Sequence, residues 1–128
     1  MIYLDSSVAL ARLFDESRSP AIAFWAQPLT SSKLLEYEIW NRIHAYGLTD
    51  SHREAARALL MRIILVEMGE RVLARALEPL PSRVRTLDAL HLATVVFIQA
   101  RGQSVALASY DNRLIAAAQA MAIPIAAV

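Results

Sequence analysis

Four acidic residues sit where solvation alone does not explain a carboxylate: Asp5, Glu38, Asp88 and Asp111. Asp5 ends the apolar run Met1–Leu4 and precedes Ser6-Ser7. Asp111 lies in Ala-Ser-Tyr-Asp-Asn-Arg-Leu, two residues beyond the small hydroxyl of Ser109. Asp88 opens the nearly all-apolar run Leu87–Ala100. Taken singly, each of these three is accounted for by helix capping or by the favourable field at a helix start. Glu38 is different. At about 100° per residue, Leu34, Leu35, Ile39, Ala45 and Tyr46 share one arc of a helical wheel, and Glu38 falls inside it. Glu36 lies at the far edge beside Trp40 and Ile43, which makes Glu38 the better candidate. A carboxylate within an apolar arc must be compensated. Arg42, four residues on, offers an i,i+4 partner or a contact to phosphate; a bound metal is the other solution.

Together, four such acids suit a hard divalent cation. Mg²⁺ and Mn²⁺ take oxygen ligands and keep several waters, so a few carboxylates suffice. Such ions assist in-line hydrolysis of phosphodiesters. Periodicity and spacing lead to an acidic site suited to a metal and no further.

Composition removes the competing chemistries. The 128 residues contain no cysteine, hence no thiolate nucleophile, disulfide framework or zinc–thiolate site. Three scattered glycines offer no phosphate loop, and Lys33, the sole lysine, comes too early for a phospho-accepting receiver. A net charge of +1 by itself predicts no polyanionic partner. His91, one turn after Asp88 on an apolar helix, reads as a hydrogen-bonded core histidine rather than a ligand. Arg83 and Arg85 read as solvated loop residues, and Trp25 and Trp40 as core or interface anchors.

The elements that must hold these acids alternate between short apolar runs and helical periods. Strands are expected at Met1–Leu4, Pro28–Ser32, Ile63–Glu67, Ser104–Ala108 and Ile123–Val128. Helices are expected at Ser6–Phe14, Pro20–Gln27, from Ser31 or Ser32 to Tyr46, from Asp50 or Ser51 onward, at Glu70–Leu77, Leu87–Ala100 and Asp111–Met121. Gly47 and Gly102 mark helix ends. Short buried strands alternating with helices imply an α/β fold, one domain over residues 1–128, with a parallel sheet covered on both faces. Function in such sheets gathers at the carboxyl ends of the strands, where Asp5 stands. The longest apolar stretches are interrupted and fall short of about 20 residues, so no membrane span is expected. The N-terminus has no signal-peptide pattern, and a cytoplasmic protein is expected.

Met1-Ile-Tyr-Leu-Asp5-Ser-Ser, Ser31-Ser-Lys-Leu-Leu-Glu-Tyr-Glu38-Ile, Leu87-Asp88-Ala-Leu-His91-Leu-Ala and Ser109-Tyr-Asp111-Asn-Arg-Leu resemble, in order and spacing, the PIN-domain family. More narrowly they resemble its VapC-type toxins of bacterial toxin–antitoxin pairs. The likeness spans nearly the whole chain, and Leu-Asp-Ala-Leu-His-Leu-Ala is its most specific part. It implies a three-layer α/β/α sandwich with a central, mostly parallel twisted sheet, and a Mg²⁺- or Mn²⁺-dependent endoribonuclease. Asp5, Glu38, Asp88 and Asp111 match the family's four acidic positions, as catalytic residues and metal ligands, with Asp5 and Asp88 foremost. Ser6 and Ser109 match small hydroxyls beside the pocket. The resemblance further implies an RNA substrate, a homodimer, and neutralisation by a cognate VapB-type antitoxin through which DNA is reached indirectly. Glu36 departs from the family, which often carries a basic or neutral residue there, and Asn112 stands where a basic residue is common. The rival reading is a non-catalytic PIN scaffold serving as a dimeric module in an antitoxin- and DNA-bound regulatory complex; the four retained acids argue against it.

Overall fold

Strand β1 (Ile2–Leu4) is three residues long and buried throughout, and its period-two alternation divides the molecule. Ile2 and Leu4 point into one core and Tyr3 into the other. The computed structural model describes all residues from Met1 to Val128. After β1 come α1 (Ser6–Leu13), a 3₁₀ turn (Ile22–Ala26), β2 (Leu29–Ser32), α2 (Leu34–Ala45), α3 (Thr49–Leu60) and β3 (Ile63–Val66). The chain continues through α4 (Glu70–Leu77), α5 (Thr86–Ala100), β4 (Ala106–Ala108) and α6 (Asn112–Ala120).

The four strands form one sheet in the order β3-β2-β1-β4, every pair parallel. Ile2 stands opposite Leu29 on one side and Ala106 on the other. Val8, Leu10, Leu35, Ile39, Ile43, Ala56 and Leu59 from α1, α2 and α3 cover the Ile2/Leu4 face. Leu92, Val95, Ile98, Leu114, Ala117 and Ala118 from α5 and α6 cover the Tyr3/Leu107 face. These are the three layers expected of an α/β/α sandwich. No helix is long and apolar enough to cross a membrane.

The strand order contains one reversal. Sequence runs from β1 outward through β2 to β3, then returns to place β4 on the other flank of β1. Parallel sheets open a crevice at the carboxyl ends of the strands where the order reverses. Here that crevice lies between Leu4 and Ala108, which stand in register, and the next residues are Asp5 and Ser109.

Three expected elements differ. The segment around Pro20–Gln27 is a short 3₁₀ turn, because Phe24 and Trp25 are drawn into the core within a stretch too short for an α-helix. Helix α3 starts at Thr49 and receives no side-chain cap from Asp50 or Ser51; the Ser51 hydroxyl donates back to the Leu48 carbonyl. The last expected strand is reduced to one parallel bridge, Leu107 to Ile125, because Pro124 supplies no N–H and only its carbonyl joins β4.

Candidate active site

Asp5 caps α1 and is 5% exposed. Its Oδ2 accepts from the Ser7 backbone N–H at 3.3 Å, the Ser7 hydroxyl at 2.5 Å and the Ser109 hydroxyl at 2.8 Å. Those hydroxyls are themselves used twice. Ser7 Oγ accepts from the Tyr110 N–H at 2.9 Å, and Ser109 Oγ accepts from the Asp111 N–H at 3.0 Å. Two serines thus lace the loop after β1 to the loop after β4 across the crevice. All three donors to Asp5 fall on Oδ2, and Oδ1 has no protein hydrogen bond.

Asp111 caps α6, its Oδ1 accepting from the N–H groups of Arg113 and Leu114. Its Oδ2 lies 3.4 Å from Arg85, whose Nε is 3.7 Å from Asp88 Oδ2. Burial, and after it the neighbouring charge of Asp111, raise the Asp88 pKa above the ordinary aspartate value. Arg85 opposes the rise and Asp5 adds to it. Asp88 therefore feels the charges of Asp111 and Asp5. Arg85, expected as a solvated loop residue, bridges two of them while staying exposed.

Glu38 is not compensated by Arg42, its expected i,i+4 partner. Arg42 turns outward to Tyr46, its Nη1 donating to the phenol at 3.4 Å. Glu38 Oε1 instead meets His91 Nε2 at 2.5 Å, and Oε2 accepts from the Ser6 hydroxyl at 3.1 Å. An i,i+4 pair lay within reach, but α1 and α5 bring donors into a less solvated place, where a hydrogen bond to a carboxylate is worth more. Glu36 pairs with Lys33 at 3.4 Å on the half-exposed side of α2, apart from the acid group.

The four carboxylates face one edge without closing on one point. No three carboxylate or histidine side chains converge at ligating distance. Charge acts over a longer range than ligation, which is why Asp88 senses Asp111 and Asp5 although they form no cage. The donor set still suits a hard cation: it is all oxygen, and Asp5 offers a free Oδ1. Mg²⁺ needs only one or two carboxylates directly, the remainder acting through water.

A model of the PIN domain matches residues 2–120. The chain belongs to the PIN-domain family. It is 35% identical to "Ribonuclease VapC46" of Mycobacterium tuberculosis strain H37Rv, over 98% of this chain and 96% of that protein. It is 31% identical to "Ribonuclease VapC35" of the same organism, over 99% of this chain and 96% of the relative. "Ribonuclease VapC47" is 29% identical over 90% of this chain and 88% of its own. No solved structure matches the chain.

In this PIN domain three positions around the acids went unread in the sequence. Ser7 supplies a hydroxyl to Asp5, while Ser6 bonds Glu38; the habit of capping aspartates to bond two residues ahead was the available signal. Tyr3 carries a phenol into a buried strand, and a buried Tyr O–H calls for a partner. Arg113 joins Arg83 and Arg85 around Asp88 in a cavity of about 630 Å³. No spacing rule links those arginines, since they come from a loop and from α6.

Proposed function

We propose that this chain is a divalent-metal-dependent endoribonuclease, the toxin of a toxin–antitoxin pair, hydrolysing RNA phosphodiesters at Asp5, Glu38, Asp88 and Asp111. The observation that carries this reading is the serine-laced pairing of Asp5 with the Asp111 loop at the crevice between β1 and β4. Asp5 and Asp88 would hold Mg²⁺ or Mn²⁺ foremost, with Glu38 and Asp111 completing its shell directly or through water. When bound, the ion supplies Lewis-acid stabilisation of the charge that develops at the scissile phosphodiester. The protein's own part is positional. Ser7 and Ser109 fix one oxygen of Asp5 and leave the other free; His91 and Ser6 hold Glu38. Arg83, Arg85 and Arg113 around Asp88 give the phosphates of an RNA strand a cationic approach to the acids.

The partner readings rest on the resemblance: a homodimer, a VapB-type antitoxin, and DNA through that antitoxin, in the cytoplasm. An open groove of about 570 Å³ between α4 and α5, lined by Leu73, Leu77, Leu80 and Leu90, is apolar surface of the kind a protein partner covers.

The test is cleavage of total cellular RNA by antitoxin-free protein with Mg²⁺, Mn²⁺ or chelator. Discrete metal-dependent fragments, lost in Asp5→Asn and Glu38→Gln and kept in Glu36→Gln, are expected. Wild-type rates from Asp5→Asn would overturn the site. No cleavage together with no Mn²⁺ uptake would favour the scaffold reading.

A further inference from the structure

A chain of hydrogen bonds runs from the middle of the sheet to Glu38. The Ser32 backbone N–H donates to the Tyr3 phenol at 3.1 Å, the phenol lies 2.7 Å from His91 Nδ1, and His91 Nε2 lies 2.5 Å from Glu38 Oε1. Tyr3 and His91 are fully buried, their rings meeting edge to face at 5.8 Å. The direction of each bond follows from what each group can do. A backbone N–H only donates, so the Tyr3 oxygen accepts from Ser32. The phenol has one proton left to give. His91 Nδ1, at 2.7 Å, is the acceptor in hydrogen-bond geometry with the phenol, so that proton goes there. Nδ1 must then be an acceptor, which places the ring proton on Nε2, pointed at the carboxylate.

We propose that Tyr3 and His91 are positioning residues: they lock the imidazole as its Nε2–H tautomer and thereby fix the place and orientation of Glu38 at the acid edge. The chain joins β2, β1, α5 and α2, and Ser6 of α1 clamps the other Glu38 oxygen at 3.1 Å. Glu38 extends from a helix of one layer and is held by a helix of the other. Its aim is thus set by tertiary structure rather than by its own rotamer preference. Outer partners that orient a ligating group in this way typically change metal affinity or activity by about 10- to 100-fold when removed. The tautomer stands on geometry alone; its consequence for catalysis rests on the proposed nuclease reading.

The experiment uses the full chain and three variants, Tyr3→Phe, His91→Gln and His91→Leu. It reads the histidine-ring ¹⁵N correlation spectrum without metal, Mn²⁺ binding by water-proton relaxation, and RNA cleavage. The wild-type ring is expected to show the neutral Nε2–H pattern. In Tyr3→Phe that pattern is lost while melting stays cooperative, and Mn²⁺ affinity and cleavage fall by about 10- to 100-fold. His91→Gln, whose amide N–H reaches toward the old Nε2 position, recovers part of what His91→Leu loses. A Tyr3→Phe protein that melts lower but keeps wild-type Mn²⁺ affinity and cleavage would make the chain merely structural and overturn the proposal. If the wild-type protein neither takes up Mn²⁺ nor cleaves RNA, the nuclease reading is what fails. The lock is then judged on the spectrum: Nε2–H lost in Tyr3→Phe supports it, while an Nδ1–H ring or an imidazolium in wild type overturns it.

Discussion

Asp88 is held in a place that opposes its charge. Desolvation and the carboxylates of Asp111 and Asp5 raise its pKa, with Arg85 only partly offsetting them. Between the ordinary aspartate value and the raised one, the folded protein binds more protons than the unfolded chain. The contribution of Asp88 to stability is therefore full below the ordinary value and declines as pH rises through the raised one. Asp88→Asn removes that penalty. The variant is expected to melt a few degrees above wild type at neutral pH, with the difference vanishing below about pH 4 where the acid is protonated in both states, while RNA cleavage is lost. Melting curves across that range check it, and a variant less stable than wild type at pH 7 would contradict the electrostatic account. Ser109 makes a second test at this scale, because its hydroxyl serves both Asp5 and the Asp111 N–H. Ser109→Ala should lower stability by about 1–2 kcal/mol, the cost of unmade buried hydrogen bonds, and cleavage by about 10-fold or more. Denaturant titration and rate assays on one preparation separate the two effects.

Four of the six α-helices share a way of stopping. After α2 the N–H of Gly47 bonds the His44 carbonyl and that of Leu48 bonds Ile43, with Gly47 left-handed at φ 66°. The same paired pattern closes α5 at Gly102, α1 at Asp15 and α6 at Ala122. Gly47 and Gly102 announced these ends in the sequence; Asp15 and Ala122 did not, since aspartate enters the left-handed region only occasionally and alanine rarely. Ala122, at φ 57°, bears a steric cost of about 1 kcal/mol there. Ala122→Gly should therefore raise the unfolding free energy, by up to about 1 kcal/mol, although glycine also loosens the unfolded chain. Equilibrium urea unfolding checks it, and a destabilised variant would mean the turn is not strained. Helix α5 shows the opposite balance between sequence and structure. Its all-round apolar character announced a central helix, and His91, Leu92, Ala93, Thr94, Val95 and Ile98 are indeed buried.

At the scale of the whole molecule, net charge says little and charge placement says more. The chain carries +1 overall, yet Arg83, Arg85 and Arg113 surround the cavity at Asp88. RNA binding is best measured on the cleavage-deficient Asp5→Asn protein. There the logarithm of affinity should fall linearly with the logarithm of salt concentration, and each arginine of this group replaced by alanine should reduce the slope by about 0.7. Arg42, which faces Tyr46, should leave the slope unchanged when replaced. A slope insensitive to all three arginines would place the RNA path elsewhere on the surface.

The sequence by itself determined the acids, the layering and most of the element order. Those features are local: a strand needs a short apolar run, a helix needs its period, and a capping aspartate needs only the next three residues. Asp5 and Asp111 were legible because each stands at the end of an element. The partner of Glu38 was not. Arg42 was its nearest cation along the chain, and only the packing of α5 against the sheet brought His91, 53 residues away, to its oxygen. Nor did any local pattern place β4 beside β1 instead of beyond β3, and that single choice opens the crevice where Asp5 and Ser109 meet. Strand order is decided by how two helical layers bury their apolar faces at once. A property of the whole chain's packing thus brings separate acids to one edge of the sheet.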